Sequence, residues 1–144
     1  MSKIHRFTTR VYYAETDAGG VVYHARYLNF LERARTELMR EHGFDYASTT
    51  AVNGEAFVAV DAHMQYRAPA RLDDELIVET SVSHLGGASV KLQQNVLKRV
   101  AEGEQLLLEG SITLVHVSLK EFKALRIPQN MRDALQLYLL TKED

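Results

Sequence analysis

Hydrophobic and polar positions divide the chain into segments of different period. Residues 6–14 carry Phe7, Thr8, Thr9, Val11, Tyr12 and Tyr13, a β-branched and aromatic run that predicts a strand. A loop with adjacent glycines follows, Glu15-Thr16-Asp17-Ala18-Gly19-Gly20. From about Tyr23 to His42 the period becomes helical. Tyr27, Leu31, Ala34 and Leu38 recur at steps of four, three and four, and Phe30 widens the stripe. Arg26, Arg33 and Arg40 mark the opposite, solvated face, and Arg33 and Glu37 are spaced for an i,i+4 pair. Gly43 stands where a helix end favours positive φ.

After a polar stretch from Ser48 to Glu55 the period falls to two. Val58, Val60, Ala62, Met64 and Tyr66 alternate with Ala59, Asp61, His63 and Gln65, which predicts a half-buried strand ended by Pro69. Leu76, Val78, Thr80 and Val82 define another. Gly86-Gly87 reads as a turn, and Val90, Leu92 and Val96 continue on a third strand that Gln94 interrupts. Glu102-Gly103-Glu104 is a further turn. Leu106 to Val117 is apolar on both faces, as a central strand would be. Pro128 opens a short helix with Met131, Leu135 and Tyr138 on one side. The order predicts an α+β fold, a five-stranded antiparallel sheet curled around one long helix, with a short C-terminal helix.

Composition narrows the chemistry. A length of 144 residues suits a single domain over 1–144. There is no cysteine, which excludes disulfide scaffolds, thiolate-bound zinc and thiol nucleophiles. The charge, 17 − 19 = −2, argues against a nucleic-acid partner. No apolar leader or membrane span is evident, so a cytoplasmic location is expected. The phosphate-loop, dinucleotide, serine-elbow and zincin motifs are all missing. The histidines His5, His42, His63, His84 and His116 show no ligand spacing on one short element, so no metal and no cofactor are expected.

What remains is the stretch from Tyr12 to Tyr27. It sets Asp17 a few residues before a helix whose N-terminus offers free N–H groups and a positive dipole. Such groups can hold an oxyanion while a nearby carboxylate acts as base or nucleophile. Turn capping by Asp17 and Thr16 is the alternative reading.

This stretch, Tyr12-Tyr13-Ala14-Glu15-Thr16-Asp17-Ala18-Gly19-Gly20-Val21-Val22-Tyr23-His24, resembles the signature of the 4-hydroxybenzoyl-CoA thioesterase family of the hotdog fold. It is most similar to the bacterial acyl-CoA thioesterases associated with the Tol–Pal envelope system. Two further blocks agree, Tyr27 to Arg35 and Tyr66 to Asp74. The resemblance implies an acyl-CoA substrate hydrolysed to free acid and CoA. It makes Asp17 the catalytic carboxylate and His24 the site of the oxyanion-binding N–H. Thr16, Gly20, Val21, Val22 and Tyr23 then shape the substrate loop, with Tyr27 and Glu32 positioning it. It also implies a homo-oligomer, a dimer or dimer of dimers, with acyl carrier protein or envelope machinery as further partners. Relatives carry a basic residue near the turn at Gly86-Gly87. This chain has none there, which leaves the CoA phosphates unassigned, with Arg67 and Arg71 available.

The chemistry is consistent with a lone carboxylate. A thioester expels a thiolate whose acid has a pKa near ~8.5, so little acid assistance is needed. Two alternatives are an enoyl-CoA hydratase using Asp17 with His24, and a non-catalytic acyl-CoA-binding or scaffold protein.

Overall fold

A computed structural model describes residues 2–141. The elements in chain order are β1 (His5–Arg10), α1 (Tyr27–Glu41), β2 (Glu55–Tyr66), β3 (Glu75–Leu85), β4 (Ser89–Val100), β5 (Gly103–Ser118), the two-residue β6 (Lys123–Ala124) and α2 (Gln129–Gln136). The strands pair antiparallel in the order β1-β3-β4-β5-β2, and β6 adds to the end of β5. The five predicted strands are therefore present, with β6 as a short addition. Among the described residues no helix is long and apolar enough to cross a membrane.

The helix lies against the sheet through Tyr27, Phe30, Leu31, Ala34 and Leu38, the predicted stripe, all buried. They meet Val78, Val82, Val90, Leu92, Val96, Leu108, Ile112 and Leu114 in one core, which Met131, Leu135 and Tyr138 close. Gln94, which breaks the apolar alternation of β4, is fully buried. Its amide donates to the Leu31 carbonyl and to the Thr80 hydroxyl, both at 3.0 Å. Its carbonyl accepts from Arg35 at 3.1 Å. A polar side chain thus fastens helix to sheet with its bonding capacity met. Opposite it, Gly110 is required by space: a Cβ there would stand 2.8 Å from the Gln94 backbone carbonyl oxygen.

Several expectations need correction. The first strand stops at Arg10, because Glu15 caps the next turn by accepting the Tyr12 N–H at 2.8 Å. The α-helix begins at Tyr27, and His24–Arg26 is a 3-10 turn that leads into it. The Arg33–Glu37 pair does not form. Arg33 reaches Glu15 at 2.9 Å, and Glu37 pairs with Arg40 at 3.3 Å. β5 is buried on both faces at Leu107–Leu108 and again at His116–Val117, and between them buried positions alternate with half-buried ones. The polar stretch before β2 contains a short π-helical segment, Ala47–Val52.

β2 departs most. It is an edge strand paired only with β5, and it bulges between Ala59 and Asp61. Residues 59–63 are exposed on both faces, and Val60 is 59% exposed. The alternation marks a strand with an inner face, but nothing among the described residues covers this stretch.

Candidate active site

The stretch singled out in the sequence forms a small hairpin that feeds the helix. Thr16 and Val22 bridge antiparallel, and the Asp17 N–H donates to the Val21 carbonyl at 2.9 Å. The Gly20 N–H returns to the Asp17 carbonyl at 3.1 Å, which closes the turn. Gly20 has φ +77°, a conformation that favours glycine. At the tip the Gly19 N–H donates to Asp17 Oδ1 at 2.8 Å. This fixes one carboxylate oxygen and leaves the side chain exposed. The capping reading of Asp17 is thus partly correct, and a single capped oxygen leaves the other available.

The hairpin is pinned to the segment after β2. The Val22 N–H donates to the Ala70 carbonyl at 2.8 Å, Val21 bridges Arg71, and the Leu72 N–H donates to the Gly20 carbonyl at 3.0 Å. The first and last sequence blocks are therefore two sides of one small platform. Val22 and Tyr27 are in the core. The Tyr27 hydroxyl accepts the Ala70 N–H at 2.9 Å, and burial raises its pKa. These two residues hold the loop from below. Thr16 is half-buried, its hydroxyl donating to the Tyr13 carbonyl at 3.0 Å, while Tyr23 and His24 are exposed.

At the helix entry the Tyr66 hydroxyl donates to the His24 carbonyl at 2.9 Å. The Tyr23 N–H donates to the Glu15 carbonyl, and the Arg26 N–H to the Tyr23 carbonyl. The His24 and Ala25 N–H groups come between them and donate to no backbone acceptor among the described residues. A helical entry with two open donors suits an oxyanion. Asp17 and His24 make no hydrogen bond or ion pair with each other among the described residues, so the side-chain dyad of a hydratase is not formed.

Sequence reasoning missed Glu15. It is 5% exposed, caps the Tyr12 N–H with one oxygen, and pairs with Arg33 through the other. Its only sequence signal was a carboxylate two residues before Asp17. The turn at Gly86-Gly87 receives basic groups from distant sequence. Arg132 donates to the Gly86 carbonyl at 2.7 Å, and Arg126 lies beside Gly87. Arg67 pairs with Glu109 at 2.6 Å, and Arg71 is exposed. Among the described residues no cluster of three or more His, Asp or Glu could hold a metal ion.

An antiparallel sheet curled around one long helix is the hotdog fold. The profile of the thioesterase superfamily matches residues 19–104, beginning two residues after Asp17. The acyl-CoA thioesterase YbgC of Haemophilus influenzae is 39% identical over 128 residues, covering 89% of this chain and 91% of the relative. The long-chain acyl-CoA thioesterase FadM of Escherichia coli is 38% identical over 115 residues, or 80% and 84% of the two chains. Among solved structures, a probable thioesterase from Bartonella henselae superposes with TM-score 0.79 at 36% identity, covering 88% of this chain and all of its own. A 1,4-dihydroxy-2-naphthoyl-CoA thioesterase from Synechocystis superposes with TM-score 0.83 at 25% identity, covering 93% and 96%. The chain belongs to the thioesterase superfamily.

Proposed function

We propose that this protein hydrolyses acyl-CoA thioesters to the free acid and CoA, with Asp17 as the catalytic carboxylate. The supporting observation is the placement on one hydrogen-bonded segment of Asp17 at the hairpin tip and open N–H donors at the helix entry, four residues after Gly20. The thioester carbonyl oxygen lies toward the His24 N–H, which stabilises the charge that develops on it. Asp17 either removes a proton from an attacking water or adds to the carbonyl itself. In the first case the tetrahedral intermediate expels CoA thiolate directly. In the second, CoA leaves first and water then cleaves the mixed anhydride. Both routes consume one water and need an ionised Asp17. Glu15, Tyr27 and Tyr66 keep hairpin and helix entry in register.

The same reading includes a cytoplasmic location and a dimer joined along β2. The strand presents an unpaired edge and an apolar Val60 to solvent, features that call for a partner strand. Antiparallel pairing with a second copy extends the sheet, and two such dimers can associate further. Because Tyr66 ends β2 and bonds to His24, each catalytic loop then stands at the interface.

The test is thiol release across straight-chain and aromatic acyl-CoAs, with Asp17→Ala as the comparison. Cleavage by the wild type and its loss in the variant are expected. Absence of cleavage for every thioester, or an equally active variant, contradicts the reading.

A further inference from the structure

Tyr66 is the last residue of β2, and its ring stands edge-on to Tyr27 at 5.4 Å and to His24 at 6.0 Å. This packing aims the hydroxyl at the helix entry, where it donates to the His24 carbonyl at 2.9 Å. Its other contact is Met64 Sδ, at 4.0 Å. The His24 carbonyl would not lack a donor without Tyr66, because the Tyr27 N–H also bonds to it. A carbonyl oxygen has two lone pairs, and here both are engaged. The second bond comes from a side chain forty-two residues along the chain.

The consequence falls on the far end of the same peptide. The His24 carbonyl and the Ala25 N–H share one resonant amide. Electron density drawn toward the oxygen leaves the nitrogen, so the N–H becomes a stronger donor. Hydrogen bonds linked in this way strengthen one another by about 10–30%. The Ala25 N–H is open to that effect, since it meets no backbone or side-chain acceptor among the described residues. Ala25 is exposed and adds only a methyl group. The His24 N–H is also open, but the carbonyl of its own peptide, that of Tyr23, accepts from the Arg26 N–H and from no side chain among the described residues. The two open donors are therefore unequally supported.

We infer that Tyr66 is a positioning residue for catalysis, and that it makes the Ala25 N–H a second oxyanion donor beside that of His24. The inference rests on the acyl-CoA reading above. The thioester oxygen accepts from both N–H groups, and both bonds tighten as negative charge develops on it. The Tyr66 hydroxyl is engaged with the His24 carbonyl, so it acts through the peptide and not on the substrate. Ring packing against Tyr27 and His24 alone would ask only for phenylalanine.

Tyr66→Phe tests this, because it keeps the ring and removes the hydroxyl. Losing an oxyanion donor outright costs about 10²–10³ in kcat, and weakening one by 10–30% should cost about two- to eightfold. KM should stay within about twofold, as for an interaction that strengthens in the transition state. The second readout is the infrared carbonyl stretch of octanoyl-CoA and benzoyl-CoA, each carbon-13 labelled at the carbonyl and bound to Asp17→Asn. Binding should lower the stretch, and adding Tyr66→Phe should reduce that lowering by about 10–30%. If Tyr66→Phe does not fold by circular dichroism, 3-fluorotyrosine at position 66, a stronger donor, should lower the stretch further. In an active enzyme, a kcat that falls while the stretch stays fixed overturns the inference, since loop displacement alone gives that result. Thiol release with kcat and stretch both indifferent to Tyr66→Phe also overturns it and keeps the catalytic reading. A stretch that depends on Tyr66, with no thiol release by the wild type, refutes the catalytic reading and keeps the donor pair.

Discussion

The carboxylate of Glu15 and the guanidinium of Arg33 meet at 2.9 Å and join the Asp17 hairpin to α1. The pair spans eighteen residues of sequence, and its acidic partner is buried beneath the loop. Its role is positional, since Glu15 is occupied by Arg33 and by the Tyr12 N–H. Glu15→Ala should therefore lower kcat by about tenfold or more through a displaced loop. It should cost about 1–3 kcal/mol of stability for the donors left unmet. Glu15→Gln keeps an acceptor for Tyr12 and should recover part of both. Steady-state kinetics and urea unfolding measure the two effects, and equal losses in the two variants would show that the acceptor does not matter.

Gly110 marks the closest approach in the core. Gly110→Ala sets a methyl 2.8 Å from the Gln94 carbonyl oxygen and 3.4 Å from Leu31. Both neighbours are fixed, one as backbone and one as packed helix. A loss of about 1–3 kcal/mol in chemical unfolding is expected, typical of overpacking.

Alkaline stability should depend on Tyr27. Burial raises the pKa of its phenol above the ordinary value of 10.0, while the bond from Ala70 opposes the rise. The unfolded chain loses the proton near pH ~10 and the folded chain above it. The folded state then holds more protons, so the stabilisation is complete below that pH and is lost as pH rises through the folded value. Tyr27→Phe should flatten the decline in melting temperature above pH ~10. At neutral pH it should cost about 1 kcal/mol for the lost hydrogen bond. Tyr66 and Tyr138, whose pKa burial also raises, should contribute to the decline in the same direction.

The β2 edge can be tested with charge. Val60→Lys with Ala62→Lys places like charges opposite their own copies in an antiparallel pair, which disfavours association. Light scattering should report a monomer, and on the dimer reading proposed above thiol release should fall with it, because β2 ends at Tyr66, which bonds the His24 carbonyl. A monomer of undiminished activity would contradict the interface.

Much of the fold was legible because its segments keep clean periods. The Tyr27–Leu38 stripe and the strands from Leu76 onward bury the residues their spacing indicates. What failed depended on contacts between distant segments. Arg33 chose Glu15 over Glu37 because the hairpin folds back on the helix. Val60 alternates like an inner-face residue, yet nothing among the described residues covers it. Gln94 looked like an interruption, and it is the bond that seats Arg35. Arg126 and Arg132 reach the Gly86-Gly87 turn from forty residues away, which no local pattern announces. Asp17 was legible through a resemblance in its loop, whereas the Glu15–Arg33 pair beneath it came only from the fold.

The central claim is that Asp17 carries the chemistry, and kcat of Asp17→Asn measures it most directly. Asparagine keeps an oxygen for the Gly19 N–H, so the hairpin should fold with unchanged circular dichroism. It offers no carboxylate for base or nucleophilic attack. The account predicts a loss in kcat of at least about 100-fold, with acyl-CoA binding retained. A folded Asp17→Asn that turns over at the wild-type rate would contradict it.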